Sequence, residues 1–125
     1  MRSGFLIFVA IVSIVYGIGN VLTPAWVNEV HGVPSSPGTS LVSRYFGSSL
    51  LGLGVIAWLA RNAADSDALS AFMRGGLVVA VAGLIVSVHA MMAGLMNTLG
   101  WVPVIIQALL SLGFVTFAFV KRQTS

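Results

Sequence analysis

The sequence predicts an all-α integral membrane protein, a bundle of four transmembrane helices, and three observations lead to this fold class. Hydrophobic residues make up 58% of the chain and charged residues 7%, whereas soluble domains carry about 25% charged residues. Four apolar stretches are each long enough for a helix to cross about 30 Å of hydrocarbon. They fill most of the 125 residues, so a single domain over residues 1–125 is expected. The four helices are expected at residues 4–23, 41–60, 73–97 and 102–120.

The basic residues predict the orientation of this bundle. Five of the six lie at the two chain ends or between the second and third segments, and Arg44 alone lies toward the other side. By the positive-inside rule, both termini are expected in the cytoplasm. Basic residues scattered over helix ends form no basic face, so nucleic acid is not an expected partner. The five residues on the cytoplasmic side are Arg2, Arg61, Arg74, Lys121 and Arg122.

The first segment is expected to stay in the protein as a helix. Met1-Arg2-Ser3 before an apolar run is typical of a signal peptide, but the run is long and no small-residue cleavage site follows it. The chain contains no cysteine, which excludes disulfide exchange and thiolate metal sites. In the polar loop after the second segment, Asp65 or Ser66 is expected to cap a lead-in to the third helix.

The two outer loops differ in length and composition. Residues 23–40 contain three prolines, and Pro24–Val30 has the start signal and polarity of a short helix lying in the membrane interface, with Trp26 as an anchor. The connection around Asn97 and Trp101 is short, which makes the third and fourth helices antiparallel neighbours.

Small residues predict where the helices pack closely. On the third segment they recur every three or four residues along one face, and the second segment carries a further set. Small residues let membrane helices approach each other, so the closest contacts are expected between the second and third helices. Alternatively, one small-residue face binds a second copy or a larger complex. The packing candidates are Gly47, Gly52, Gly76, Gly83, Ser87 and Gly94.

Polar residues predict a pocket at one depth of the bundle. All four helices carry them in their outer halves, and the inner halves are nearly free of them. Polar side chains in hydrocarbon are costly unless they meet each other or water. We therefore expect a pocket near the outer face, with the long first loop as its lid. Its candidate residues are Tyr16, Asn20, Arg44, Ser48, His89 and Gln107 on the helices, with Glu29 and His31 in the lid.

Arg44 and His89 each allow two interpretations. Arg44 either extends to the headgroups or points inward, to bind an anionic group or pair with Glu29. His89 either hydrogen-bonds to a polar neighbour or acts as a proton shuttle or metal ligand. Met92 and Met96 follow it by about one and two turns, but no second histidine lies in a span, which argues against haem or copper. No cofactor and no metal are predicted.

Residues 43–61 read SRYFGSSLLGLGVIAWLAR, with Pro24 and Gly32 before them and Gly100 and Trp101 after. Through these residues the chain resembles a broad, largely uncharacterised group of small four-helix bacterial membrane proteins. The resemblance extends over about two thirds of the chain. It implies a four-helix bundle in the bacterial inner membrane and transfers no catalytic residue.

Two classes of function remain open. No Asp or Glu lies inside a span, which argues against a proton-coupled exporter built around a buried carboxylate. The first hypothesis is a non-catalytic protein in the bilayer: an accessory subunit of a larger complex, or a binder of a lipophilic or anionic ligand in the outer pocket. The second is a small membrane enzyme, an isomerase or hydrolase of a lipophilic substrate, that uses His89, Arg44 and Glu29.

Overall fold

The computed structural model describes residues 1–119, and every regular element in that range is helical. Four of its helical segments are long and apolar enough to cross a membrane, which confirms the all-α fold class at that level. Lys121, Arg122 and the predicted end of the fourth helix at residue 120 lie outside the described range. The helices are α1 (Arg2–Leu22), α2 (Pro24–Val30), α3 (Pro37–Ala60), α4 (Asp67–Met92) and α5 (Trp101–Phe119), with a 3₁₀ turn at Thr98–Gly100 before α5.

Side-chain caps start α3 and α4 earlier than the hydropathy pattern predicts. In α3 the Thr39 N–H donates to the Ser36 hydroxyl at 3.1 Å, and the Ser36 N–H donates to the Thr39 hydroxyl at 2.8 Å. This reciprocal pair places the helix start at Pro37 rather than residue 41. In α4 the Leu69 N–H donates to the Ser66 hydroxyl at 3.1 Å, so Ser66 is the cap. These polar turns are helical because capping satisfies their backbone donors.

A glycine ends α4 at Met92, five residues before the predicted end. Gly94 has a φ of +73°, and its N–H donates to the Met91 carbonyl at 3.2 Å while the Leu95 N–H donates to the Ala90 carbonyl at 2.9 Å. This is the Schellman arrangement that terminates helices. Nothing lies within 4 Å of the position a Gly94 side chain would take. Gly94, grouped by the sequence with the packing glycines, is thus a helix terminator.

Helices α1 and α3 pack antiparallel along most of their length. A Cβ atom on Gly47 would lie 2.7 Å from the Gly17 carbonyl oxygen, and one on Gly54 would lie 2.6 Å from Ile14 Cγ1. Both distances are shorter than real side chains tolerate, so the two backbones touch where glycine removes the side chain. This contact makes α1 and α3 one unit.

Helices α4 and α5 form the second pair, so the prediction that the second and third membrane helices pack most closely is wrong. Gly76 of α4 lies against the ring of Phe114, and Gly83 lies against the side chain of Gln107. The small residues of α4 therefore pack against side chains of α5, and those of α3 pack against α1. A short connection keeps α4 and α5 adjacent, so sequence neighbours become packing partners.

The two pairs meet at one end of the bundle. Phe5 of α1 packs edge-on against Phe114 of α5, with ring centroids 4.9 Å apart, and stacks on Phe117 at 5.5 Å. Arg2 forms an ion pair with Asp65 and donates to the Ala63 carbonyl at 2.8 Å. We call this the N-terminal end and the opposite one, which carries α2, the α2 end. The core is concentrated toward the N-terminal end and comprises Leu6, Val9, Ala10, Ala57, Leu69, Met73, Ala80, Leu110 and Phe114.

Gly54→Leu should destabilise the bundle, because its side chain would meet Ile14 and the Ala10 carbonyl at the α1–α3 contact. Overpacking of this kind lowers the free energy of unfolding by about 1–3 kcal/mol. Gly52→Leu is the matched control on the same helix, since nothing lies within 4 Å of its side-chain position. Thermal unfolding of both variants in one detergent measures the difference. Equal stability of the two variants would contradict the α1–α3 contact.

Candidate functional site

A cavity of about 540 Å³ lies between the two helix pairs. Its size falls in the range of about 300–1,000 Å³ that small-molecule sites occupy. Side chains of all five helices line it, together with residues of the connections before α3 and after α4. The pairs meet through Phe5 and Phe114 at the N-terminal end, and the cavity extends from Phe114 to the α2 end.

The cavity has a roof, formed by α2 and residues 31–34 at the α2 end. Asn97, in the connection between α4 and α5, holds the roof with two bonds: its backbone N–H donates to the His31 carbonyl and its side-chain amide donates to the Val30 carbonyl, both at 2.9 Å. Asn28 of α2 and Ser43 of α3 also lie within hydrogen-bond distance of each other, at 3.2 and 3.3 Å. The roof is thus bonded to both helix pairs.

Gly32 allows the roof to approach Asn97 this closely. Its φ is +78°, a conformation that residues with a Cβ rarely adopt. A Cβ atom there would also lie 2.8 Å from the Asn97 backbone nitrogen. Both the backbone conformation and the space at this position therefore require glycine.

The polar end of the cavity lies beneath the roof. The His31 Nδ1 is 2.8 Å from the Val27 carbonyl oxygen. A carbonyl only accepts, so Nδ1 carries a proton, and when the ring holds only that proton Nε2 is an acceptor. Tyr16 lies beside His31, with ring centroids 6.3 Å apart. Buried Asn20 lies one turn from Tyr16, and its amide donates to the Tyr16 carbonyl at 2.8 Å.

Polar groups of the lining retain unused hydrogen-bonding capacity. The structure gives the Tyr16 hydroxyl and the Gln107 amide no hydrogen-bond partner within residues 1–119. Ser13 and Ser87 add hydroxyl groups to the same lining. Together with His31, these side chains offer both donors and acceptors to a bound molecule.

The rest of the lining is apolar and uncharged. Toward the N-terminal end it is formed by aliphatic and aromatic side chains, and no Asp, Glu, Lys or Arg is among the lining residues that the structure describes. Tyr16 and His31 are the titratable side chains of the described lining. The apolar part is lined by Val9, Val12, Leu53, Val79, Leu110 and Phe114.

The pocket candidates from the sequence divide into two groups. Tyr16, Asn20, His31 and Gln107 line the cavity. The other four are exposed and absent from its lining. The Ser48 hydroxyl donates to the carbonyl of the residue one turn earlier, at 2.9 Å. In the described chain Arg44 has no carboxylate partner. The exposed candidates are Glu29, Arg44, Ser48 and His89.

The packing candidates divide in the same way. Gly47, Gly76 and Gly83 lie against neighbouring helices, and Ser87 lines the cavity. Gly52 is exposed with open space beside it.

Sequence reasoning missed Asn28, Ser43 and Asn97, which hold the roof in place. An isolated asparagine in a loop gives no sign of its partner, since Asn97 bonds to a residue 67 positions earlier in the chain. The available signal in the sequence was Gly32 beside a turn, because glycine can adopt a positive φ there and permit a close backbone approach.

Comparisons give no relative from which a role could be transferred. The chain matches no protein-family model, no curated protein and no solved structure. Among residues 1–119, no three His, Asp or Glu side chains come together as metal ligands. The chemistry of the cavity lining is therefore the basis for a functional proposal.

Asn97→Ala should loosen the roof, because it removes the side-chain bond to Val30 and the one that Asn97 accepts from the Leu99 N–H at 3.0 Å. The bond to Val30 contributes about 1 kcal/mol, so amide exchange in α2 should rise about fivefold. Thr98→Ala, at an exposed neighbour, is the control and should leave exchange unchanged. Hydrogen-exchange mass spectrometry of peptides covering residues 24–33 measures this. Unchanged exchange in both variants would show that the Asn97 side chain does not hold the roof.

Proposed function

We propose that this chain is an integral membrane protein that binds a lipophilic small molecule in the cavity between its two helix pairs. The observation that carries the proposal is the cavity itself, apolar along most of its lining and polar beneath the roof. A molecule with an apolar body and one hydrogen-bonding end matches that distribution. The role is binding rather than catalysis.

The outer surface of the bundle supports a membrane location. Four helices are long and apolar enough to span a bilayer, and many of their large aliphatic side chains are exposed. Exposed tryptophans lie toward both ends, Trp58 at one and Trp26 and Trp101 at the other, as in the aromatic belts of membrane proteins. The Arg61 guanidinium lies 3.9 Å from the ring centroid of Trp58, a contact suited to the headgroup region.

The basic residues are the basis for the proposed orientation, and the resemblance is the basis for the proposed membrane. Arg2, Arg61 and Arg74 lie at or near the N-terminal end, which we assign to the cytoplasm by the positive-inside rule. The resemblance of residues 43–61 to small four-helix bacterial proteins favours the inner membrane. On this assignment the roof faces the outside of the cell, and the polar end of the cavity lies in the outer half of the bilayer.

Binding is favoured over catalysis by the positions of the acid–base candidates. Glu29, Arg44 and His89 are exposed and line no part of the cavity, so they would not meet a substrate held there. A general acid or base must lie within hydrogen-bond reach of the reacting group. The position of Arg44 outside the lining also favours an uncharged ligand over an anionic one, since Arg44 was the cation expected to bind an anionic group.

Native mass spectrometry of the protein released gently from its own membrane tests the proposal. We expect the wild type to carry a lipophilic mass, and Ala90→Phe, which places a ring in the cavity lining, to lose it. Ala82→Phe, on the same helix but exposed and outside the lining, should retain it. Isotope-dilution analysis of organic extracts from the three proteins gives the occupancy.

Two outcomes would reject ligand binding. Equal loss or retention of the bound mass in both phenylalanine variants would show that the mass lies elsewhere. Purification with a larger protein at fixed stoichiometry, without a bound small molecule, would instead identify an accessory subunit. In that case the exposed Ser48 and Gly52, one turn apart on α3, become candidates for the contact with a partner helix.

A further inference from the structure

The sides of the cavity differ in exposure. On α1 and α5 its lining residues are buried or half-buried. On α3, in contrast, Val42 is 67% exposed and Phe46 51%, and on α4 Val79 is 52% and Val86 67% exposed. A side chain that lines a cavity and is also exposed marks a place where the cavity opens. Pro34 just before α3 and Leu95 just after α4 also line the cavity and are exposed. All the exposed lining residues therefore lie on α3, on α4 or in the connections next to them, and we call the opening between these two helices the slot.

Helix pairing explains why the slot is on this side. Helix α3 packs along α1, and α4 packs along α5, while α1 and α5 meet at the N-terminal end. Helices α3 and α4 share no extended contact in the described chain. The exposed lining residues of α3 and α4 lie inside these helices rather than at their ends, since α3 is Pro37–Ala60 and α4 is Asp67–Met92.

The α2 end, by contrast, is closed by bonded structure. Reaching the cavity from that end would require breaking the two bonds that Asn97 makes with residues 30 and 31. It would also disturb the contact between Asn28 and Ser43, which joins α2 to α3. No such bond crosses the slot between Val42 or Phe46 and Val79 or Val86, whose side chains are apolar.

We infer that the cavity loads sideways from the hydrocarbon of the bilayer, through the slot between α3 and α4, and takes an uncharged amphiphile. This inference rests on the proposed function, because the slot faces hydrocarbon only if α3 and α4 span a membrane. A ligand that uses this route is already dissolved in the bilayer. Water-soluble molecules do not reach the cavity by it.

The lining identifies the head group that such a ligand carries. His31 Nε2 is an acceptor, and the Tyr16 hydroxyl and Gln107 amide have no partner within the described range, so a hydroxyl head group can donate to the first and accept from the others. An ionised head group would have to cross hydrocarbon and then lie against a lining without a counter-charge, which is costly. Long-chain alcohols fit this chemistry, and alkyl sulfates do not.

Photolabelling in phosphatidylcholine vesicles tests the ligand class. The probes are hexadecanol and hexadecyl sulfate, each carrying a diazirine at the same chain carbon. We expect hexadecanol to label cavity-lining peptides at least about tenfold more than the sulfate, and Ala90→Phe to abolish that labelling. Equal labelling of the lining by both probes overturns the inference that the ligand is uncharged. If neither probe labels the lining, the proposed binding function itself fails for this class of ligand.

The loading route is tested by the rate at which the hexadecanol probe reaches the cavity after mixing with protein-containing vesicles. We expect Val86→Trp, at the slot, to slow loading at least about fivefold. Val78→Trp is the control, because Val78 is 69% exposed on the same helix but lies outside the cavity lining. Val42→Trp obstructs the slot from α3 and provides a second variant if Val86→Trp does not fold.

Asn97→Ala distinguishes loading through the slot from loading beneath the roof. A looser roof leaves the loading rate unchanged if the probe passes through the slot, and raises it if the probe passes beneath α2. Slower loading in Val86→Trp or Val42→Trp, with an unchanged rate in Asn97→Ala, supports the slot. Faster loading in Asn97→Ala, or an unchanged rate in both slot variants, overturns it, whereas the proposed function stands as long as the probe labels the cavity.

Discussion

The close approach of α1 and α3 is the constraint on which the rest of this structure depends. Gly47 and Gly54 bring the α3 backbone against Gly17 and Ile14 of α1, and no larger residue fits at either position. Membrane helices gain little from burying apolar surface against each other, because lipid is equally apolar, so packing of this quality decides which helices pair. With α3 packed along α1, the adjacent face of α3, which carries Val42 and Phe46, has no extended contact with α4 in the described chain, and the cavity opens on that side.

Large aromatic side chains determine the packing of the second pair, α4 and α5, and its contact with α1. Phe114 of α5 fits against Gly76 of α4 and against the edge of Phe5, so one ring joins α4, α5 and α1 at the N-terminal end. Toward the α2 end the lining includes polar side chains such as Gln107 and Ser87. The roof closes the cavity at this end rather than at the side.

Composition and local signals were sufficient for the four apolar helices, the short helix Pro24–Val30 and a cap at Asp65 or Ser66, of which the structure has Ser66, because each depends on residues adjacent in sequence. They were not sufficient for helix pairing. Gly52 and Gly54 are two residues apart and look equivalent, yet one is exposed and the other meets Ile14. Gly94 continues the spacing of the small residues along one face of α4, but it has a positive φ and ends the helix. Which partner a glycine meets is a property of the three-dimensional arrangement, and no spacing rule contains it.

The polar residues illustrate the same difference within the candidate site. Several serine and threonine side chains in these helices bond to their own backbone: Ser48, Ser111 and Thr116 each donate to the carbonyl four residues earlier, at 2.8–2.9 Å. Such a residue is satisfied wherever it points, including toward lipid, so its depth in a span says nothing about a pocket. The Tyr16 hydroxyl is held too far from its own backbone to do this, and in the described chain it has no partner. Which polar residues line the cavity therefore depends on the helix face that they occupy. Tyr16, Gln107 and Ser87 line it, whereas Ser48 and His89 do not.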